Sequence, residues 1–111
     1  MASPRVLTLT DENFDELVLH SPVPVLVDFW SEYCAPCRAV APLVEDLADE
    51  YDGQVRIGKV NVEENLRLAT EYQISAVPTL VVFDDGQVKD VMVGFKSKRD
   101  LKASLDTVLS G

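Results

Sequence analysis

The chain has 111 residues, 47% of them hydrophobic and 26% charged, with 19 acidic against 10 basic side chains and a formal net charge of −9. That length supports one ordinary hydrophobic core, and the acidic excess argues against nucleic acid, whose binders carry basic footprints. Two cysteines are too few for a disulfide-rich secreted scaffold, no run approaches a membrane span, and the opening ten residues lack the apolar stretch of a signal peptide. The expectation is a single domain over residues 1–111 in a reducing cytoplasm.

Residues 5–9 read as a first strand. Thr10 follows as a helix N-cap, with Asp11 and Glu12 placed well against the helix dipole and Phe14, Leu17 and Val18 forming an apolar stripe. Ser21-Pro22-Val23-Pro24 breaks that helix. The nearly continuous apolar run over residues 25–30 predicts a strand covered on both faces, as in a central parallel sheet. The longest helix is predicted from residue 35 to residue 51. Cys37, Val40, Ala41, Val44, Leu47, Ala48 and Tyr51 recur there at three- and four-residue steps, Pro42 lies inside as a source of a kink, and Asp52-Gly53 ends it.

Residues 54–62 read as the next strand and 63–72 as a short helix. Two further strands, 79–83 and 88–95, flank Asp84-Asp85-Gly86-Gln87, an antiparallel hairpin signal. A last helix is predicted over residues 98–109, with Leu101, Leu105, Val108 and Leu109 on one face. The order β-α-β-α-β-α-β-β-α implies an α/β sandwich with helices on both sides of a mixed sheet.

Cys34-Ala35-Pro36-Cys37 stands where the central strand gives way to the long helix. At a helix start, unpaired backbone N–H groups and the positive end of the dipole favour a thiolate at Cys34. Helical residues three apart have Cα atoms roughly 5 Å from each other, inside the disulfide range. A zinc site needs four ligands, and His20 is the only histidine, so a closed site within the chain would require carboxylates. A structural disulfide closing so short a loop would contribute little chain-entropy stabilisation. The pair reads as a redox switch. His20 itself reads as a surface residue at a helix end. The basic cluster Lys96, Lys98, Arg99 and Lys102 and the acidic run Glu45, Asp46, Asp49, Glu50 and Asp52 read as solvated helix faces, the latter able to steer a basic partner.

Val27-Asp28-Phe29-Trp30, Cys34-Ala35-Pro36-Cys37-Arg38, Pro42, Lys59-Val60-Asn61-Val62, Val77-Pro78-Thr79 and Gly94 fall in the order and spacing of the thioredoxin family, and the resemblance covers essentially the whole chain. It implies the thioredoxin fold: a three-layer α/β/α sandwich around a mixed five-stranded sheet. It also implies a protein-disulfide reductase with no bound cofactor or metal, re-reduced by a thioredoxin reductase, most simply a flavin enzyme using NADPH. Cys34 resembles the exposed nucleophile and Cys37 the resolving thiol that leaves a Cys34–Cys37 disulfide.

Asp28 occupies an apolar central strand where an ionised carboxylate is costly. It matches the family's proton acceptor at the resolving cysteine, with desolvation raising its pKa towards a general base's range. Lys59 shares strand parity with Val55 and Ile57 and matches the lysine that opposes that shift; its alternative is to snorkel out to water. Pro78 matches a cis-proline. Trp30, Ala35, Pro36, Val77, Pro78 and Gly94 match a flat apolar docking surface on which the backbone of Val77 meets an extended substrate by strand addition. Trp30 and Phe95 are each left open between that surface and the core.

Several positions depart from the family pattern. Ala35 stands for the usual Gly, Tyr33 for the Trp before the first cysteine, and Gln73 for a Gly after the aromatic residue, which puts that turn's backbone in question. Pro36 is kept where oxidases and isomerases of the superfamily carry His. A neighbouring His favours the thiolate and a more oxidising pair, so its absence argues for a reductant. A thiol oxidase or isomerase and a redox-independent binding module are the rival readings, and a monomer is the expected state.

Overall fold

A computed structural model describes residues 4–111; the first three, part of the opening stretch read for a leader, lie outside the described residues. Five strands, β1 (Val6–Thr8), β2 (Val25–Trp30), β3 (Arg56–Asn61), β4 (Thr79–Asp84) and β5 (Gln87–Val93), form one sheet in the order β1-β3-β2-β4-β5. β1 and β2 run parallel to β3, whereas β4 is antiparallel to both β2 and β5. Helices α1 (Ala35–Glu50) and α3 (Lys98–Ser110) contribute Val40, Leu47, Leu101 and Leu105 to one core beneath Leu26, Leu80 and Val82. On the opposite face Phe14, Val18 and Leu68, the last from α2 (Leu66–Glu71), pack on Val25, Val27, Phe29 and Phe83. The predicted three layers and element order are present. β2 is buried from Val25 to Phe29, which accounts for its apolar run.

Boundaries shift where local hydrogen bonds compete with regular structure. The first helical segment is a single π-helical stretch, Asp15–Leu19, in which the His20 N–H reaches back to the Asp15 carbonyl at 3.0 Å. Thr10 still caps its approach, its hydroxyl oxygen accepting from the N–H groups of Glu12 and Asn13. β3 starts two residues later than predicted because the N–H groups of Gln54 and Val55 donate to the Tyr51 carbonyl in the turn that ends α1. α2 starts late because the Asn61 side-chain oxygen accepts from the N–H groups of Glu63 and Glu64. The β4–β5 turn is made by Asp85 and Gly86, both with positive φ (55° and 75°), the two-residue hairpin geometry its sequence signalled.

The charged faces behave as read. Lys98 bridges to Glu50 and Asp46, Lys102 to Glu50, and Arg5 to Asp49 and Asp52. These are exposed pairs of small energetic weight. Among the described residues no helix is long and apolar enough to cross a membrane.

Candidate active site

Sheet topology sets the site. β2 is central, so the loop after Trp30 emerges at the end of the sheet where α1 begins. Cys34 is the N-cap of α1, extended at φ −118° and ψ 107°, and the Cys37 N–H donates to its Sγ at 3.2 Å. A sulfur thus occupies the place a Ser or Asp oxygen takes in an ordinary cap. A thiolate there accepts that donor more strongly and meets the positive end of a 16-residue helix. Cys34 and Cys37 are joined by a disulfide with Cα atoms 5.2 Å apart, matching the helical spacing argument. Both are buried, Cys34 at 7% and Cys37 at 4% exposure, so with the disulfide closed Cys34 is not the exposed residue that the resemblance implied.

Opposite Cys34 lies the Val77–Pro78 turn. Its peptide bond is cis, and the Val77 carbonyl oxygen sits 3.5 Å from Cys34 Sγ. The turn is held from both sides. The Thr79 hydroxyl donates to the Ala76 carbonyl at 2.6 Å, and the Gly94 N–H donates to the Pro78 carbonyl at 2.8 Å. Gly94 has φ +86°, a backbone that L side chains rarely adopt, so this position favours glycine even though a Cβ would meet open space. Ala35 and Pro36 are exposed, Trp30, Val77 and Gly94 are half-buried, Pro78 is buried and so does not present the docking face expected of it, and Phe95 is 50% exposed, which settles its open choice against the core. Tyr33 projects into solvent beside Cys34.

Asp28 is 4% exposed and cross-strand from Lys59. Its Oδ1 has no hydrogen-bond partner among the described residues. Burial pushes its carboxyl up to about 7, against the pull of the Lys59 ammonium. Lys59 is half-buried, with Nζ 5.6 Å from the centre of the Trp30 ring, a cation–π contact. Asp28, Trp30, Lys59 and Cys37 line one cavity of about 280 Å³. Of its other walls, Ser31 and Glu32 were not singled out from sequence, while Arg38 was read only as part of the cysteine motif and Ala41 only as part of the apolar stripe of the long helix. For Ala41 a signal existed, since it follows Cys37 by one helical turn.

The remaining positions are quickly placed. Gln73, whose turn was in question, keeps a left-handed backbone at φ +55°, so the conformation a glycine would take survives without one. His20 is exposed, its Nδ1 2.9 Å from the Asp15 carbonyl oxygen and remote from the cysteines in the fold. Among the described residues no group of three or more His, Cys, Asp or Glu side chains converges on a metal-sized site.

Such a site can cycle two thiols against one disulfide, with a carboxyl group that titrates near neutrality in the same cavity. The sequence model of the Thioredoxin family matches residues 5–107. The chain is 46% identical to Thioredoxin 1 of Nostoc sp. over 98 residues, covering 88% of this chain and 92% of that protein. It is 48% identical to Thioredoxin 1 of Synechococcus elongatus over the same shares of the two chains, and 43% identical to a thioredoxin of Acidithiobacillus ferridurans over 96% of this chain and 99% of that one. With a Cys-Ala-Pro-Cys pair able to close into a disulfide, the chain belongs to the thioredoxin family and is a dithiol–disulfide oxidoreductase that reduces protein disulfides, working with a reductase and with disulfide substrates.

Proposed function

We propose that Cys34 is the attacking thiol of this reductase, Cys37 the resolving thiol and Asp28 the proton acceptor for Cys37. The observation that carries the reading is the Cys37 N–H aimed at Cys34 Sγ from the first turn of α1. In the reduced protein the Cys34 thiolate attacks one sulfur of a substrate disulfide. A Cys34–substrate disulfide forms, and the other substrate sulfur leaves as a thiolate and takes up a proton. Cys37, buried like Cys34 but without its N-cap place at the end of the helix dipole, then gives its proton to Asp28 through water in the shared cavity. It attacks Cys34 Sγ, the first substrate sulfur departs, and the Cys34–Cys37 disulfide remains. Two electrons have passed to the substrate.

A carboxyl titrating at about 7, with a free Oδ1, suits Asp28 to receiving that proton near neutral pH. Lys59 sets how far the pKa rises. Trp30, Ala35, Pro36, Val77 and Gly94 form the docking surface, the buried Pro78 shapes the turn behind Val77, and Pro36 in place of His keeps the pair reducing. Residues 1–111 act as one domain and as a monomer in the cytoplasm. Electrons return from a flavin-dependent reductase using NADPH.

Insulin reduction driven by dithiothreitol tests these roles. Cys34→Ser should abolish it, and Cys37→Ser should accumulate a covalent substrate adduct at Cys34. Retained insulin reduction in Cys34→Ser would remove Cys34 as the attacking thiol.

A further inference from the structure

β5 is an edge strand, and three of its valines, Val88, Val91 and Val93, stand 46%, 52% and 57% exposed. Residues three apart on a regular strand face opposite ways, yet Val88 and Val91 share a face. The cause is a bulge: Val88 lies opposite Phe83 and Asp90 opposite Val82, so Lys89 is an extra residue that turns Val88 over. With Ile74, Ala76 and Thr79 the three valines frame an open trough of about 270 Å³, in which Glu71 is the sole charged wall. A row of exposed aliphatic side chains along an unpaired edge calls for an occupant.

The trough starts where a substrate must already be. Val93 lies opposite Thr79, Gly94 is bonded to the Pro78 carbonyl, and the Val77 carbonyl is 3.5 Å from Cys34 Sγ. The end of the trough at Ala76, Thr79 and Val93 therefore adjoins the turn that faces Cys34. From Val93, at roughly 3.3 Å per residue, Val91 is about 7 Å along the strand, and Val88 is about 13 Å, because the bulge makes it match the four steps from Thr79 to Phe83. That distance is about two to four residues of extended substrate beyond the one at the mouth, or about three to five from the reactive cysteine.

We infer that this trough is a subsite for aliphatic side chains of the substrate segment flanking the reactive cysteine, which makes the protein prefer disulfides followed or preceded at about three to five residues by Val, Ile or Leu. The inference rests on the docking surface proposed above. Charge agrees with it, because Glu71 and a net charge of −9 disfavour an acidic segment there.

The test uses peptides dimerised through one cysteine, carrying Ile-Val or Ser-Ser at the fourth and fifth positions on the N-terminal or the C-terminal side. Thiol release by the reduced protein gives kcat/KM for each. On one of the two sides the aliphatic peptide should react on the order of tenfold faster than its serine counterpart. That ratio should collapse towards one in Val91→Ser and in Val88→Ser, both changes at half-exposed edge positions that an intact near-ultraviolet spectrum can check.

Equal rates on both sides, or a ratio that survives both substitutions, would overturn the inference while leaving the reductase intact. Failure to reduce any of the peptides would remove the docking reading and the subsite together. Sedimentation of the assay sample decides the rival occupant: a dimer that Val91→Ser dissociates would assign the trough to a second copy of the chain and overturn the proposal.

Discussion

Replacing Asp28 with asparagine should make the protein's stability nearly independent of pH over a range where the parent is strongly dependent. The unfolded carboxyl titrates near 3.8, whereas in the fold burial pushes it up to about 7. Between those values the native state keeps a proton that the unfolded chain has lost, so unfolding releases a proton and stability falls as pH rises. The loss begins above about 4, is steepest between the two pKa values and levels off above about 7. The difference of about 3 units, at 1.36 kcal/mol each, sets a ceiling of roughly 4 kcal/mol. Water entering the cavity beside Asp28 will lower that figure.

The Asp28→Asn variant has no such proton linkage, and any constant cost of its buried amide is the same at every pH. In the oxidised protein, urea unfolding from about pH 4 to about pH 9 should therefore show the variant gaining on the parent by up to about 4 kcal/mol. At about 4 °C per kcal/mol for a chain of this size, that is roughly 15 °C in Tm. Parallel stability curves for the two proteins would refute the reasoning, because they would mean that Asp28 is no harder to ionise in the fold than out of it.

Lys59→Met removes the charge that opposes the desolvation of Asp28. The Asp28 titration, followed by carboxyl NMR, should move above about 7, and an unchanged midpoint would deny the coupling. Gln73→Gly should stabilise the fold by up to about 1 kcal/mol, since a residue at φ +55° loses its left-handed strain and only part of that gain is offset by unfolded-chain entropy; destabilisation in urea would contradict this. Pro36→His should make the cysteine pair more oxidising by tens of mV, about 30 mV for each tenfold in equilibrium constant. A potential unmoved in redox-buffer titration would remove Pro36 as a determinant.

What is legible in the sequence divides by the range of the forces involved. The Cys34 cap, the Asp85-Gly86 turn and the buried β2 run are local patterns of cap, turn and burial, and each stands in the fold at its expected place. Helix and strand ends move where one carbonyl or side-chain oxygen captures extra N–H groups, as those of Tyr51 and Asn61 do. Strand parity brings Lys59 to an apolar-lined face, but only the parallel β2–β3 register puts it beside Asp28. The bulge at Lys89 depends on β4 pairing and leaves no mark in the alternation of β5, so the valine face is not readable from the sequence. The choice between core and surface for Phe95 likewise needs the fold.

The central claim is that Cys34 and Cys37 form an electron-donating pair, and their equilibrium reduction potential against a dithiothreitol redox buffer tests it most directly. The predicted value lies near roughly −270 mV, the figure established for thioredoxin itself and adopted here as the reference. A value between about −180 and −120 mV, the range of isomerases and oxidases, would contradict it and turn attention to Ala35 and Tyr33 beside Cys34.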